Sequence, residues 1–137
     1  MQSITLAKLA IIRGSVLFRK FNDIDHPKFF VVIGENSDHF IGFFFINSNI
    51  HPSIKEKPLQ FEMQMMIRKK NYEFLDYDSF ISANRIERLD KNMIASEIVS
   101  RETKIKGMLT GEDLDMLMTS IRKSPLFSKI EKDSFFK

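Results

Sequence analysis

Two short polar segments of the sequence carry side chains suited to proton transfer and phosphate binding. The first, DHPK at residues 25–28, precedes the most apolar run of the chain. His26 can act as an acid or a base near neutral pH, and Lys28 can contact a phosphate. The second, NSN at residues 47–49, follows another apolar run, and its amides and hydroxyl can hold a phosphate or a developing oxyanion. Each segment taken alone is also typical of an ordinary turn.

Other kinds of site find little support in the sequence. It has neither a G-x-G-x-x-G segment nor a P-loop lysine motif nor H-E-x-x-H. The absence of cysteine excludes thiolate nucleophiles, disulfides and cysteine-based zinc sites. His26, His39 and His51 have no diagnostic spacing, so exposed turn residues are the favoured interpretation and a histidine-based metal hydrolase is a distant alternative. We therefore expect no cofactor and no metal.

Composition limits the class of protein without naming it. A chain of 137 residues favours a single domain, 1–137, with one core. The formal net charge of +3, from 21 basic and 18 acidic residues, permits a nucleic-acid partner but does not require one. No apolar run approaches the roughly 20 residues of a membrane helix, so no membrane is expected. The lack of cysteine fits a reducing, cytoplasmic setting.

A β-hairpin is predicted to position the two polar segments. KFFVVIGE, which begins at Lys28, is an unbroken apolar run and predicts a strand covered on both faces. HFIGFFFIN, which ends at Asn47, predicts the next strand, and the short turn ENSD between them is typical of a hairpin. Gly42 inside the second strand indicates a bulge or a sharp bend.

The rest of the chain predicts a small sheet with helices at its ends. Thr110 precedes apolar residues at helical spacing, which indicates an amphipathic helix over 110–124 that Pro125 ends. The remaining predicted segments are a short N-terminal helix over 4–12 capped by Ser3, strands in SVLFRKF, QFEMQMMI and NYEFL, a loop over 49–59, a strand over 83–88, and a tail over 125–137 that is either ordered or frayed. This order, with five to seven strands, suits a small bent sheet or barrel that is mainly β with α.

Six segments in order resemble those of a known family. They are GSVLF from residue 14, HPKFFVVIG from 26, FFFINSN from 43, LQFEMQM from 59, SFISANRIERL from 79 and KGMLTGEDLDMLMTSI from 106. Together they resemble the MazF/PemK/Kid growth inhibitors of bacterial toxin–antitoxin pairs, and the match covers roughly residues 13–124. The resemblance implies an SH3-like barrel over about 13–105, followed by the C-terminal helix. It also implies a homodimer, a cognate antitoxin protein, and metal-independent cleavage of single-stranded RNA.

The resemblance also implies site residues, with two departures. Lys28 falls where the family has an arginine, and Asn47 falls where it has a hydroxyl residue, with Ser48 beside it. Lysine is a point charge without the planar fork of arginine, and asparagine lacks the hydroxyl. His26, Lys28 and Ser48 are then expected to supply the acid, the base and the charge stabilisation that attack by the 2′-hydroxyl requires.

The expected RNA groove adds further residues: Lys20, Asn49, Arg68 and Lys69. The alternative is a catalytically inactive barrel of the same fold that binds a protein partner or nucleic acid.

Overall fold

The computed structural model describes residues 2–137, which form a mixed α/β structure with seven strands and six helices. The strands are β1 (Ser15–Arg19), β2 (Lys28–Glu35), β3 (Phe40–Asn47), β4 (Gln64–Ile67), β5 (Ser79–Ser82), β6 (Glu87–Asp90) and β7 (Thr103–Met108). The helices are α1 (Gln2–Ala10), α2 (Pro52–Lys55), α3 (Pro58–Glu62), α4 (Lys91–Ser100), α5 (Gly111–Lys123) and α6 (Lys129–Phe135). Among residues 2–137, no helix combines the length and the apolar character needed to cross a membrane.

The seven strands form one antiparallel sheet that stays open. Its strand order is β4-β5-β3-β2-β1-β7, and β6 pairs with β3 beside β5. Within residues 2–137, the strands at the two ends, β4 and β7, do not pair with each other. The predicted β-rich sheet is therefore present, but its strand pairing does not close into a barrel.

The sheet separates two apolar cores, and strand alternation explains why. Along β2, Val31 and Ile33 face the core covered by α5 and α6. Phe30 and Val32 face the opposite core, which α1 and α4 cover. Successive strand residues point to opposite faces, so a strand buried on both sides reads as a continuous apolar run. The prediction that β2 is covered on both faces is confirmed.

The β2–β3 hairpin is confirmed, but Gly42 has a different role from the one predicted. The irregularity in this pair lies in β2, where the register shifts between Val32 and Gly34. A Cβ atom on Gly42 would stand 2.8 Å from the ring of Phe135, and one on Gly34 would stand 2.1 Å from the Phe135 carbonyl oxygen. Both glycines therefore leave room for the end of α6 against the sheet.

Several predicted elements were wrong in type or extent. The segment 49–59 is not all loop, since it contains α2 and the start of α3, and α3 replaces the first half of the predicted strand QFEMQMMI. The prolines at the first helical positions explain this outcome, because proline suits a helix start. NYEFL is the end of a 3₁₀ turn followed by a loop. Of the predicted strand over 83–88, residues 83–86 form the turn between β5 and β6, and only Glu87 and Arg88 lie in a strand. Ser3 lies inside α1 and does not cap it.

Helix α4 and strand β7 are among the elements that were not predicted. Helix α4 does carry a start signal, because the Asp90 side chain accepts a hydrogen bond from the Met93 backbone N–H. Strand β7 is mostly exposed and contains Lys104 and Lys106, so it lacks an apolar alternation that would reveal it.

The C-terminal segment is ordered and buried at its end. Helix α5 lies within one residue of the predicted bounds at each end, and the Thr110 hydroxyl caps it by accepting from the Asp113 backbone N–H. In α6 and just after it, Phe135 and Phe136 are buried in the main core. Arg13 donates to the Phe135 carbonyl oxygen and Arg122 to that of Phe136, which anchors this segment.

Candidate functional site

A cleft of about 420 Å³ opens where β2 begins and β3 ends. Antiparallel pairing brings these two points together, because Phe29 pairs with Ile46 and the next positions outward are Lys28 and Asn47. The residues that line the cleft are Phe18, His26, Pro27, Lys28, Phe29, Ile46, Asn47, Ser48, Asn49, Leu75, Asp76, Tyr77 and Ser79. The four side chains predicted to be catalytic and one predicted to bind RNA, Asn49, thus share one cleft.

Lys28 and Asn47 contact each other at the end of the hairpin that lines the cleft. The Lys28 ammonium donates a hydrogen bond to Asn47 Oδ1 and lies 5.4 Å from the centroid of the Phe45 ring. Partial burial lowers the pKa of Lys28 below its ordinary value, because removal from water disfavours the charged form. The Asn47 amide nitrogen stays able to donate to a ligand, while its oxygen is occupied by Lys28.

His26, Ser48 and Asn49 lie at the exposed rim. His26 precedes Pro27 in the loop between β1 and β2, and Ser48 and Asn49 form the bend that follows β3. Within residues 2–137, we find no hydrogen bond that occupies the Ser48 hydroxyl or the His26 imidazole. These groups are therefore available to a ligand that enters the cleft.

The floor and one wall of the cleft were missed by sequence reasoning. Phe18 and Phe29 stack with their ring centroids 4.5 Å apart, and the side chain of Tyr77 is 67% exposed beside them. Asp76 adds a carboxylate to the lining, so Lys28 and Asp76 are the lining residues with a formal charge. The only local signal was the clustering of Asp76, Tyr77, Asp78 and Ser79 before an apolar pair.

Strand β5 explains how this wall reaches the site. It pairs with β3 in the register that puts Phe80 opposite Asn47. The residues just before β5 must then lie beside the end of β3. The cleft is therefore built from three separate segments of the chain, 26–29, 46–49 and 75–79, together with Phe18.

Three predicted RNA-binding residues lie outside the cleft. The Lys20 ammonium donates to the Asp25 carbonyl oxygen at 3.1 Å, within the loop that ends at His26. Lys69 lines a neighbouring depression of about 300 Å³, which shares Leu75 with the cleft. Arg68 is exposed and lines neither. Of these three, Lys69 is the one whose depression adjoins the cleft.

The three histidines do not assemble. His39 lies in the β2–β3 turn, where its Nδ1 is 3.2 Å from a Glu35 carboxylate oxygen, and His51 caps α2 by accepting from the Ser53 backbone N–H. His26 lies near the other end of the hairpin, in the cleft. Residues 2–137 contain no group of three histidine, cysteine, aspartate or glutamate side chains placed to hold a metal ion.

Comparison with known proteins does not assign a function, so the functional argument rests on the residues of the cleft. No model of a known protein family matches the sequence, and a search of curated proteins finds no significant match.

Proposed function

We propose that the protein is a metal-independent endoribonuclease that cleaves single-stranded RNA in the cleft between Lys28 and Ser48. One observation carries the proposal: His26, Lys28, Asn47 and Ser48, which lie up to 22 positions apart in the sequence, line the same cleft. They comprise an imidazole, an amine, an amide and a hydroxyl, the kinds of group that hydroxyl attack on a phosphodiester needs.

The proposed reaction uses the 2′-hydroxyl of the substrate as nucleophile. The 2′-oxygen attacks the adjacent phosphorus, the bond from phosphorus to the 5′-oxygen breaks, and a 2′,3′-cyclic phosphate forms. His26 takes the proton of the 2′-hydroxyl, and Lys28 gives a proton to the departing 5′-oxygen. The lowered pKa of Lys28 suits this role, because such an amine gives up its proton more readily than an exposed lysine. The Ser48 hydroxyl and the Asn47 amide donate to the phosphate oxygens.

The aromatic residues of the cleft support an RNA substrate with unpaired bases. Phe18, Phe29 and Tyr77 line the same cleft as the polar groups, with Phe18 and Phe29 on the sheet face opposite to that of Lys28 and Asn47. Bases of single strands stack on such rings, whereas bases within a duplex are already stacked on each other. We therefore expect cleavage in single-stranded RNA and none within a duplex.

Cleavage of a mixed-sequence RNA in buffer containing EDTA tests the proposal. We expect products with 2′,3′-cyclic phosphate and 5′-hydroxyl ends, and no cleavage where the 2′-hydroxyl is replaced by hydrogen. Lys28→Ala and Ser48→Ala should each slow the reaction, by on the order of 10²-fold for Lys28→Ala. Absence of cleavage across many sequences, or cleavage equal to wild type in both variants, would contradict the proposal.

A second candidate is a non-catalytic member of the same fold that binds nucleic acid or a protein partner. Lys28 and Asn47, the two positions that depart from the pattern of the MazF/PemK/Kid family, favour this candidate. Their side chains form a hydrogen bond with each other. Binding of RNA without cleavage, with affinity that falls steeply as salt rises, would support nucleic-acid binding over catalysis. Binding to neither RNA nor DNA would favour a protein partner.

The wider biological proposal follows from the resemblance to the MazF/PemK/Kid family. In this proposal the protein is a growth-inhibiting toxin with an SH3-like barrel. It forms a homodimer in the cytoplasm and is neutralised by a cognate antitoxin. A small upstream gene that encodes a DNA-binding half and an acidic tail would support it. Expression alone should then stop growth, and co-expression of that gene should restore it. Light scattering of the purified protein measures the oligomeric state.

A further inference from the structure

We propose that Lys104 and Lys106, on the edge strand β7, form a phosphate-binding track that leads single-stranded RNA into the cleft past Phe18. This inference rests on the proposed function, since it names the path of the same RNA outside the cleft. It adds two residues, from a segment of the chain distant from those that line the cleft.

Both lysines lie beside Phe18, a residue of the cleft lining. Lys104 lies opposite Phe18 in the ladder, and side chains of opposite residues in an antiparallel pair project from the same face. The Lys106 ammonium lies 5.7 Å from the centroid of the Phe18 ring. Phe18 itself lines the cleft. A chain that leaves the cleft across Phe18 therefore meets both ammonium groups.

A bulge contributes to the placement of Lys106. Val16 pairs with Gly107 and Leu17 with Ile105, so Lys106 is the extra residue of β7 and has no partner across the ladder. Bulges commonly redirect a side chain at a sheet edge or near a functional site. Strand β7 has a single strand neighbour in the described sheet, β1, so it is an edge strand.

The charges of the two lysines are not neutralised by neighbouring acids. Both side chains are exposed, and within residues 2–137 no carboxylate lies within ion-pair distance of either. The nearby acid on α4, Glu97, is engaged by Arg19 and Thr103 on the other face of the sheet. Two unpaired ammonium groups beside an aromatic ring match how proteins hold single strands, through phosphate contacts and base stacking.

The test compares the double variant K104Q/K106Q with a charge-matched control, K123Q/K129Q. The control lysines lie at the end of α5 and in α6, on elements that contribute no residue to the cleft. The ligand is a 2′-O-methylated single-stranded RNA, which cannot be cleaved by 2′-hydroxyl attack. Its affinity is measured by fluorescence anisotropy over a series of KCl concentrations.

We expect K104Q/K106Q to bind this RNA about tenfold more weakly at low salt. Its slope of log affinity against log salt should be shallower by about 1.4, at about 0.7 for each lost phosphate contact on a single strand. The control should match wild type. Equal affinity and slope in wild type and K104Q/K106Q would overturn the inference, and so would a failure of wild type to bind the RNA. Loss of solubility with unchanged affinity would show that the lysines only protect the sheet edge.

Cleavage assays separate this inference from the proposed function. For a long cleavable RNA, K104Q/K106Q should raise KM and leave kcat unchanged, whereas Lys28→Ala should lower kcat. For a trinucleotide confined to the cleft, K104Q/K106Q should behave as wild type. If wild type binds RNA with the expected salt dependence but cleaves none, the proposed catalysis fails and the track stands. If wild type cleaves RNA and the two lysines change neither KM nor the salt slope, the track fails alone.

Discussion

The Lys28 ammonium and the Asn47 side-chain oxygen are joined by a hydrogen bond at the mouth of the cleft. The two residues lie at adjacent ends of β2 and β3, one position beyond the paired residues Phe29 and Ile46. In the proposed reaction Asn47 is thus first a positioning residue for the amine of Lys28. Its amide nitrogen contacts the phosphate in addition.

Asn47→Asp should shift the pH dependence of RNA cleavage. A carboxylate beside the Lys28 amine favours its charged form and raises the pKa of Lys28, so the alkaline limb of kcat/KM should move to higher pH. Asn47→Ala should instead lower kcat by on the order of 10²-fold, because the amine loses its fixed position. Asn92→Ala, on the exposed side of α4, is the control. An alkaline limb unchanged in Asn47→Asp would argue against Lys28 as the acid.

Lys28→Met should stabilise the fold while it slows cleavage. Burial lowers the pKa of Lys28 in the folded state, so the charged amine destabilises the fold at neutral pH. Between that lowered pKa and the ordinary value of 10.5 the unfolded chain binds more protons, so wild-type stability rises with pH there. The gain in folding stability from Lys28→Met is therefore largest at neutral pH, and it shrinks as the pH approaches 10.5.

Urea unfolding at pH 7 and pH 10 measures this difference. Lys129→Met, at a lysine that is 91% exposed, should change stability little at either pH. A Lys28→Met variant less stable than wild type at pH 7 would mean that the contacts of Lys28 outweigh the penalty of its burial.

Glu97→Gln should destabilise the protein by about 2 kcal/mol at pH 7, the size expected for lost hydrogen bonds to a charged group. Arg19 donates to both carboxylate oxygens, at 2.6 and 3.0 Å, and Thr103 donates to one at 2.7 Å. The Arg19 hydrogen bond is the main cause that lowers the pKa of Glu97. This stabilisation is full above the ordinary value of 4.5 and is lost as pH falls through the lower folded-state pKa.

Denaturant unfolding over a pH series gives the comparison for Glu97. The difference between wild type and Glu97→Gln should narrow below pH 4.5. Glu87→Gln is the matched control, because its partner Arg85 is 78% exposed and such surface pairs contribute within about 0.5 kcal/mol. Equal losses in the two variants would contradict the assigned role of Glu97.

Gly34→Ala should destabilise the fold by about 3 kcal/mol and loosen the C-terminal helix α6. The new Cβ atom would stand 2.1 Å from the Phe135 carbonyl oxygen, which a backbone atom cannot easily vacate. Unfolding curves and proteolysis within 125–137 measure the two effects. Gly111→Ala, where nothing lies within 4 Å, should stay near wild type. If Gly34→Ala resists proteolysis as well as wild type does, the close approach of α6 to Gly34 is contradicted.

The strands that build the mouth of the cleft were predictable because their signals are local. The apolar runs that start at Lys28 and end at Asn47 are separated by a turn, and a hairpin is the shortest way to pair them. The hairpin alone brings Lys28 beside Asn47, so the proximity of the two polar segments follows from local sequence. Helix α5 was predictable for the same reason, since Thr110 and the apolar stripe after it need no distant partner.

The errors lie where local pattern is ambiguous. The alternation in QFEMQMMI fits a strand, yet Phe61 belongs to a helix that starts at Pro58. Phe61 is 45% exposed, so it does not face a core as the alternation suggests. Strand β7 has almost no buried side chain, so its identity depends on pairing with β1. Short segments of this kind take the structure that their neighbours stabilise, and propensity decides little.

By itself, then, the sequence determined the chemistry available at residues 26–28 and 47–49 and the hairpin that joins them. Tertiary structure decided that Asp76 and Tyr77 form a wall of the cleft, because β5 returns to pair with the end of β3. It also decided that Lys106 lies over Phe18 and that Phe135 lies against Gly34. The physical reason is register: contacts between segments far apart in the chain depend on which residues pair across the sheet, and no local pattern encodes that choice.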